Sequence, residues 1–498
     1  MPRLTGVPPD DEEYDVCLIV EGAYPFVVGG VANWIQDLIV GLPQFRFVVI
    51  AIKPDDGEMP WRLNPPDNVG RVIEVSLAPR IGVGLRRGKQ ALVERIAALS
   101  MAFLIDGEED ALVDLLALLR EAKPAWTPAE ILSHPALFQA VTDYAAAKLP
   151  DDSFHLIFWA IRTLLGGLLA ALLVPLPRAR VFHTISTGFA GLIAARAAIE
   201  LDRPSMITEH GIYLLERQIE IMMADWIMQA DTPGLGLEGR TPGLRDLWRR
   251  VFENYARVCY DRCNPVIALY RANNQVQERL GAVPARLQAI PNGIDVDRFD
   301  LVVPKRDPAR PTVALIGRVV PIKDVHTFIR AAGIVHTAYP DAVFQILGPL
   351  DEDPDYVEEC HKLVDTLALD GVVVFQGRVR VDDWLPVIDL VVLTSLSEAQ
   401  PLVILEAGAC GTPSIAPDVG SCRELLEGPA DEDAPGGIIT PLVDSEATAA
   451  AILDLLRDAA RRETLGRNLQ RRVRRDYDQR AVLSRYAALY EAGAAQVQ

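Results

Sequence analysis

Val16-Cys17-Leu18-Ile19-Val20, followed by Glu21-Gly22, Pro25 and Gly29-Gly30 and then by a helical pattern over residues 31–42, reads as strand, glycine turn, helix. Trp34, Leu38 and Ile39 share one side of that helix, and a second apolar run, FRFVVIA, occupies residues 45–51. The chain therefore opens as a doubly wound α/β domain. The rhythm returns at residues 179–183 and 205–210, and again at 265–269 after a helical stretch over 244–260. Residues 82–149 break it with an Ala/Leu-rich, helical insertion that carries no motif. Pro291-Asn292-Gly293-Ile294-Asp295 and the charged, Pro-rich residues 303–311 mark a domain boundary. Beyond it, short apolar strands are expected at 313–316, 343–347, 372–375, 390–394 and 414–416, a second parallel sheet with helices in the gaps. Residues 447–494 read as helix, and the run Arg471-Arg472-Val473-Arg474-Arg475 as a solvated face. The expected division is 1–290 with the insertion at about 82–150, 291–480, and a C-terminal helix over 481–498 that packs back on the first domain.

A chain of 498 residues exceeds one core, which stops growing near roughly 250–300 residues, so two domains are expected. Hydrophobic residues at 50% and charged residues at 23% exclude a disordered scaffold. The balance of 49 basic against 68 acidic residues, a net charge of -19, argues against a nucleic-acid partner. An anionic ligand would have to be held by a few local cations and backbone N–H groups against that field. Cys17, Cys259, Cys263, Cys360, Cys410 and Cys422 show neither a C-x-x-C pair nor Cys/His ligand spacing and read as reduced thiols. Residues 1–13 lack the cationic and apolar regions of a secretory signal, and a cytoplasmic location is expected. Residues 156–174 are nearly long enough to span a bilayer, but Arg162 and Gly166-Gly167 interrupt them, and a core helix is the expectation.

Ligands of such sheets bind outside the carboxyl ends of the strands. Gly317-Arg318 follows a strand directly and Lys323 comes five residues later. A guanidinium and an ammonium on one loop suit a diphosphate. Next comes Ser397-Glu398-Ala399-Gln400-Pro401-Leu402-Val403-Ile404-Leu405-Glu406-Ala407. Pro401 suits the first helical position, which would aim the free N–H groups of Leu402 and Val403 at an anion. If both were helical, Glu398 and Glu406 would lie about 12 Å apart along the axis, beyond the roughly 5–9.5 Å of a glycosidase pair. They fit better as two acceptors for hydroxyl groups of an extended ligand such as a sugar and a ribose.

The spacing of Glu398 and Glu406, with Arg318, Lys323 and the Asn292–Asp295 linker, resembles retaining glycosyltransferases of the GT-B fold, glycogen-synthase-like class. Asp418-Val419-Gly420-Ser421, Glu424 and Gly437-Ile438-Ile439-Thr440-Pro441 are similar to the next block of that family. More narrowly, Glu21–Pro25 with Gly29-Gly30, the stretch around His183 and the stretch around His210 resemble the PelF-like subgroup of cytosolic enzymes of Pel exopolysaccharide synthesis. The resemblance implies two Rossmann-like domains facing a cleft. It also implies transfer of a hexose from a UDP-sugar to a growing polysaccharide, with no cofactor or metal and with docking on a membrane-embedded synthase complex. By the same resemblance Arg318 and Lys323 neutralise the leaving diphosphate, Glu398 and His210 contact the hexose, and Glu406 holds the ribose. Gly29 and Gly30 would admit close approach of phosphate or sugar, Arg378 would lie near the base, and His183 would contact substrate. Asp351-Glu352-Asp353 could be a metal-binding Asp-x-Asp; a solvated acidic loop is preferred because Arg318 and Lys323 already supply positive charge. Ala399-Gln400-Pro401 stands where many members have Gly-Phe-Gly, and Ser421 where they have a second glycine. A nucleotide-sugar epimerase and a non-catalytic assembly subunit are the rival readings.

Overall fold

The computed structural model describes residues 12–78, 89–122, 126–148, 153–223, 243–299, 302, 304–428 and 434–497. The reading of residues 1–13 as lacking a signal thus falls almost wholly outside them. The chain divides into two units, one of residues 1–289 with 486–498 and the other of residues 290–485.

Unit 1 holds β1 (Tyr14–Glu21), β2 (Phe47–Asp55), β3 (Val69–Ala78), β4 (Ala179–Thr184), β5 (Ser205–Glu209), β6 (Val266–Ala268) and β7 (Leu287–Ala289). They form one sheet in the order β3-β2-β1-β4-β5-β6-β7, every neighbouring pair parallel. Residues Val16 to Val20 of β1 are fully buried, as a central parallel strand covered on both faces requires. The paired register of Ile19 with Thr184, and of Thr184 with Ile207, brings the carboxyl ends of β1, β4 and β5 level.

Between β3 and β4 the chain folds as the helices Gln90–Met101, Glu109–Glu121, Pro128–Leu132, Pro135–Lys148 and Phe154–Leu173, with a π-helical turn at Ala102–Asp106. The described part of the insertion is helical as expected; residues 82–88, 123–125, 149 and 150 lie outside the described residues. It is not a separate subdomain. Val93, Ile96, Leu112, Leu115 and Leu116 share a single core with Cys17, Ile19 and Ile50 of the sheet. Phe154–Leu173 is the one described helix long and apolar enough to cross a membrane, and two thirds of its most apolar window is buried within the protein. Arg162 inside it donates to the Leu132 carbonyl at 2.7 Å.

Unit 2 holds β8 (Thr312–Ile316), β9 (Val343–Leu347), β10 (Val373–Gly377), β11 (Leu390–Val392), β12 (Ser414–Pro417) and β13 (Gly437–Thr440). Their order is β10-β9-β8-β11-β12-β13, again all parallel. Counted within the unit this is the dinucleotide-fold order, and unit 1 repeats it with one strand added. Apolar clusters cover the sheet of unit 2, one around Phe328 and Phe344, the other around Ile404, Leu405 and Val391.

The single helix read over 447–494 is three: Ser445–Arg457, Ala459–Asp476 and Gln479–Ala494. Asp458 breaks the first from the second because its carboxylate caps the Arg461 N–H at 2.9 Å. The basic run is not wholly a solvated face. Arg472 is 1% exposed, and its guanidinium binds the carbonyls of Leu425 at 2.8 Å and Ala434 at 2.6 Å.

Candidate active site

β8 and β11 lie side by side in unit 2, and the chain leaves them for opposite flanks of the sheet. This is a topological switch point, where open α/β sheets bind ligands. Two loops meet there. After β8, Pro321 opens a short 3₁₀ turn ending at Lys323, and Asp324, at φ 44°, caps the helix Val325–Ala338 through the Thr327 N–H at 3.3 Å. After β11, Thr394 Oγ1 donates to the Lys323 carbonyl at 3.0 Å and the Leu396 N–H donates to the Ile322 carbonyl at 2.8 Å. These bonds set Lys323 Nζ 2.5 Å from Glu398 Oε1, which also accepts from Ser395 Oγ at 2.6 Å. Both members of the ion pair are largely withdrawn from solvent, at 22% and 12% side-chain exposure, so screening weakens it little.

The helix after this loop is Leu402–Ala409. Pro401 is its N-cap rather than its first residue, no side chain caps it, and Leu402 is exposed. Glu406 lies in its second turn. Burial pushes the Glu406 carboxyl up to about 7, against the pull of Arg298. Arg298 is itself forked onto Asp382 at 2.5 and 3.1 Å. The backbone of the Glu398 loop is fixed from behind by Gly420 and Ser421. The Ser421 N–H donates to the Ala399 carbonyl at 2.9 Å, and a Cβ on Gly420, at φ +55°, would lie 2.2 Å from the Glu398 carbonyl oxygen.

Arg318 shares a loop with Lys323 but has a different partner. Its Nη1 donates to Glu352 at 2.7 Å on the exposed surface. Arg378 stands beyond the edge strand β10, 3.8 Å from Asp351, both more than three quarters exposed. Asp353 caps the helix Pro354–Thr366 through the Tyr356 N–H at 3.1 Å. Each acid of the Asp351–Asp353 run thus has its own protein partner.

In unit 1, Gly29 is the N-cap of the helix Gly30–Gly41, with an extended backbone at φ -169°. A Cβ on Gly29 or Gly30 would meet nothing within 4 Å, so neither backbone geometry nor packing requires a glycine at either position. His210 follows β5 and is 9% exposed. Burial lowers its pKa to about 4, so the ring is neutral at pH 7. Its Nε2 has no hydrogen-bond partner among the described residues, and Trp34 packs edge-on at 4.5 Å between ring centroids.

His183 is a correction. It is fully buried, with Nδ1 2.7 Å from Tyr490 Oη and Nε2 2.9 Å from Thr208 Oγ1. Both nitrogens are spent inside the core, which leaves none for a substrate. Sequence reasoning named Glu21 only as part of a motif and gave it no role; it ends β1, accepts from Tyr213 Oη at 2.5 Å and has its pKa raised by burial. A carboxylate directly after an apolar strand was the available signal. For Ser395, and for Arg298 with Asp382, nothing local in the sequence marked the contacts.

Two units of parallel sheet in dinucleotide-fold order, one with a cation and carboxylates at its switch point, constitute the GT-B fold. Of solved structures, the chain is similar to Anabaena HepE in complex with UDP and glucose, with a TM-score of 0.57 and 17% identity over 96% of this chain and 99% of that one. Sucrose-phosphate synthase from Thermosynechococcus elongatus gives a TM-score of 0.57 at 16% identity, over 96% of this chain and 98% of that one. By sequence, the chain belongs to the family described as Domain of unknown function (DUF3492), which matches residues 14–285. Residues 310–458 match the family described as Glycosyl transferases group 1. D-inositol 3-phosphate glycosyltransferase of Paenarthrobacter aurescens is 29% identical over 206 residues, 39% of this chain and 49% of that one. The Salinispora tropica enzyme of the same name is 31% identical over 219 residues, 40% and 44% of the two chains. The chain spans about half the length, or less, of these curated relatives.

Proposed function

We propose that the chain is a metal-independent, retaining glycosyltransferase that moves a hexose from a UDP-sugar to a growing Pel-like exopolysaccharide. The observation that carries the reading is the Lys323–Glu398 pair at the switch point, just before the helix that carries Glu406, within the stretch that matches glycosyl transferases of group 1. The UDP bound in HepE supports the choice of nucleotide. The polysaccharide acceptor and a cytoplasmic location beside a membrane-embedded synthase rest on the motif resemblance around Glu21, His183 and His210.

In this mechanism the donor's diphosphate draws Lys323 away from Glu398, which frees that carboxylate to accept from hexose hydroxyls. Arg318 adds positive charge from the same loop, and Glu406 accepts from the ribose. The bond between the anomeric carbon and the phosphate oxygen breaks. A bond from that carbon to the acceptor oxygen forms on the same face, and a phosphate oxygen takes the acceptor's proton. Charge developing on the leaving diphosphate is met by preplaced cations and by the N–H groups of Leu402 and Val403, the largest lever such a site has. Gly29 and Gly30 leave room for phosphate or sugar where the fold has no need of them, and the open Nε2 of neutral His210 serves a sugar hydroxyl.

A thermal-shift screen with UDP, ADP and GDP, with and without EDTA, tests this. UDP should raise the melting temperature, by the free energy RT ln(1 + [L]/Kd), with or without chelator, and Lys323→Ala should lose most of the shift. Stabilisation that needs metal, or that survives the substitution, would refute the site. Epimer formed from donor alone would favour the epimerase, and no response to any nucleotide a non-catalytic subunit.

A further inference from the structure

Gln400 is 7% exposed, and its side-chain amide meets the backbone of Asn292 twice. The Asn292 N–H donates to Oε1 at 2.8 Å, and Nε2 donates to the Asn292 carbonyl at 3.3 Å. An amide used this way acts as one rung of a sheet. Asparagine is a methylene too short for the same reach, glutamate has no donor for the carbonyl, and methionine matches the length with neither bond.

What the rung joins gives it meaning. The chain passes from unit 1 to unit 2 after Ala289 and returns after Arg485. Asn292 adjoins the first passage. Ile294, two residues on, is bonded to the segment leading to the second: its N–H donates to the Tyr477 carbonyl and its carbonyl accepts from the Gln479 N–H, both at 2.9 Å. Gly293 is the residue that fits between them, since a Cβ there would lie 2.5 Å from Gln479 Cα. On its other side Gln400 lies in the loop that carries Glu398, immediately before the Pro401 cap of the Glu406 helix. Within unit 2, Gln400 therefore ties the switch-point loop to Asn292 at the first passage, and Ile294 ties that segment by its backbone to the one leading to the second.

We infer that Gln400 is a positioning residue that holds the Glu398 loop against residues 292–294, so that occupation of the Lys323–Glu398 site is felt at both passages of the chain. The inference rests on the nucleotide-sugar reading given above. A ligand that orders the loop must also steady whatever the loop is bonded to, and by linkage a steadier passage strengthens ligand binding.

Hydrogen–deuterium exchange on the full chain with UDP as probe tests it. In the native protein UDP should slow exchange at residues 317–323 and 395–401 and also at 290–296 and 476–480. Gln400→Met should keep the first pair protected at saturating UDP and lose the second pair, with UDP binding weakened about fivefold to tenfold, the range expected from losing a buried hydrogen-bonding group. Gln400→Glu, which keeps only the acceptor, should fall between. Native-like UDP affinity together with native protection at 290–296 in Gln400→Met would overturn the inference. The native measurement stands even where Gln400→Met does not fold: UDP binding with protection confined to the two loops overturns the coupling alone. A native chain to which UDP does not bind overturns the nucleotide reading as well.

Discussion

Burial holds the Glu406 carboxyl at about 7 instead of near its ordinary value of 4.5. Between those two values the folded chain binds more protons at this residue than the unfolded chain, so stability is lost as pH rises through the window. The substitution Glu406→Gln keeps the shape of the side chain and removes its ionisation. We expect the stability of Glu406→Gln relative to the native chain, from urea melts, to grow by about 1–2 kcal/mol between pH 5 and pH 8, allowing for the partial exposure of the group. UDP affinity should fall in the same variant, as a ribose acceptor would require. Parallel stability curves across that range would refute the assignment of the shift.

At the scale of elements, the glycines separate two demands. Gly30 begins a helix where a Cβ meets nothing, whereas Gly420 sits at positive φ with its Cβ position inside the backbone of the Glu398 loop. Gly30→Ala should therefore leave the melting temperature unchanged or slightly raised while lowering kcat/KM, because only a bound ligand competes for that space. Gly420→Ala should cost about 1–3 kcal/mol of stability by overpacking, in addition to activity. Equal loss of stability in both would show that Gly30 serves the fold after all.

The strands were legible where both faces are buried. β1, β8 and β9 stand out as short apolar runs each followed by a glycine, Gly22, Gly317 and Gly348. The run before Gly317-Arg318 pointed to Lys323, whereas Glu398 was found from its spacing to Glu406. β3 was not legible: it lies at the sheet edge and reads VGRVIEVSLA, half-exposed along most of its length. The insertion's helices could be read from composition, but not that their apolar faces complete the core of the sheet, because amphipathicity does not name the partner. Arg472 misled for the same reason. Its carbonyl partners lie some forty residues away, and a run of arginines looks solvated unless those partners are known.

For the whole molecule, the division of the chain is the governing fact. Tyr486 and Tyr490, in the last helix, belong to unit 1, where Tyr490 bonds His183 and Tyr486 stacks on its ring at 5.9 Å. The two residues of the His183–Tyr490 bond are 307 positions apart, which no local pattern could reveal. Ending the chain after Arg485 would leave a buried imidazole without one of its two partners and strip Phe45 and Phe47 of the Tyr490 ring packed against them. Such a truncation should cost several kcal/mol, on the order of an aromatic removed from a core together with its hydrogen bond. Circular dichroism melts and limited proteolysis check it: unit 1 should become the protease-sensitive part while peptides of unit 2 persist. Resistance of unit 1 equal to that of the native chain would count against the role given to the last helix.

His183 thus ties the first unit to the timetable of synthesis. The ribosome finishes every strand of that unit before it begins the second, yet the tyrosines that close the His183 network emerge only after the whole of the second unit. At about 5–20 residues per second, the first unit waits on the order of ten to forty seconds for them. During that interval its sheet is complete in sequence but the His183 network and the packing on Phe45 and Phe47 are still open, a period in which a chaperone has an apolar surface to guard.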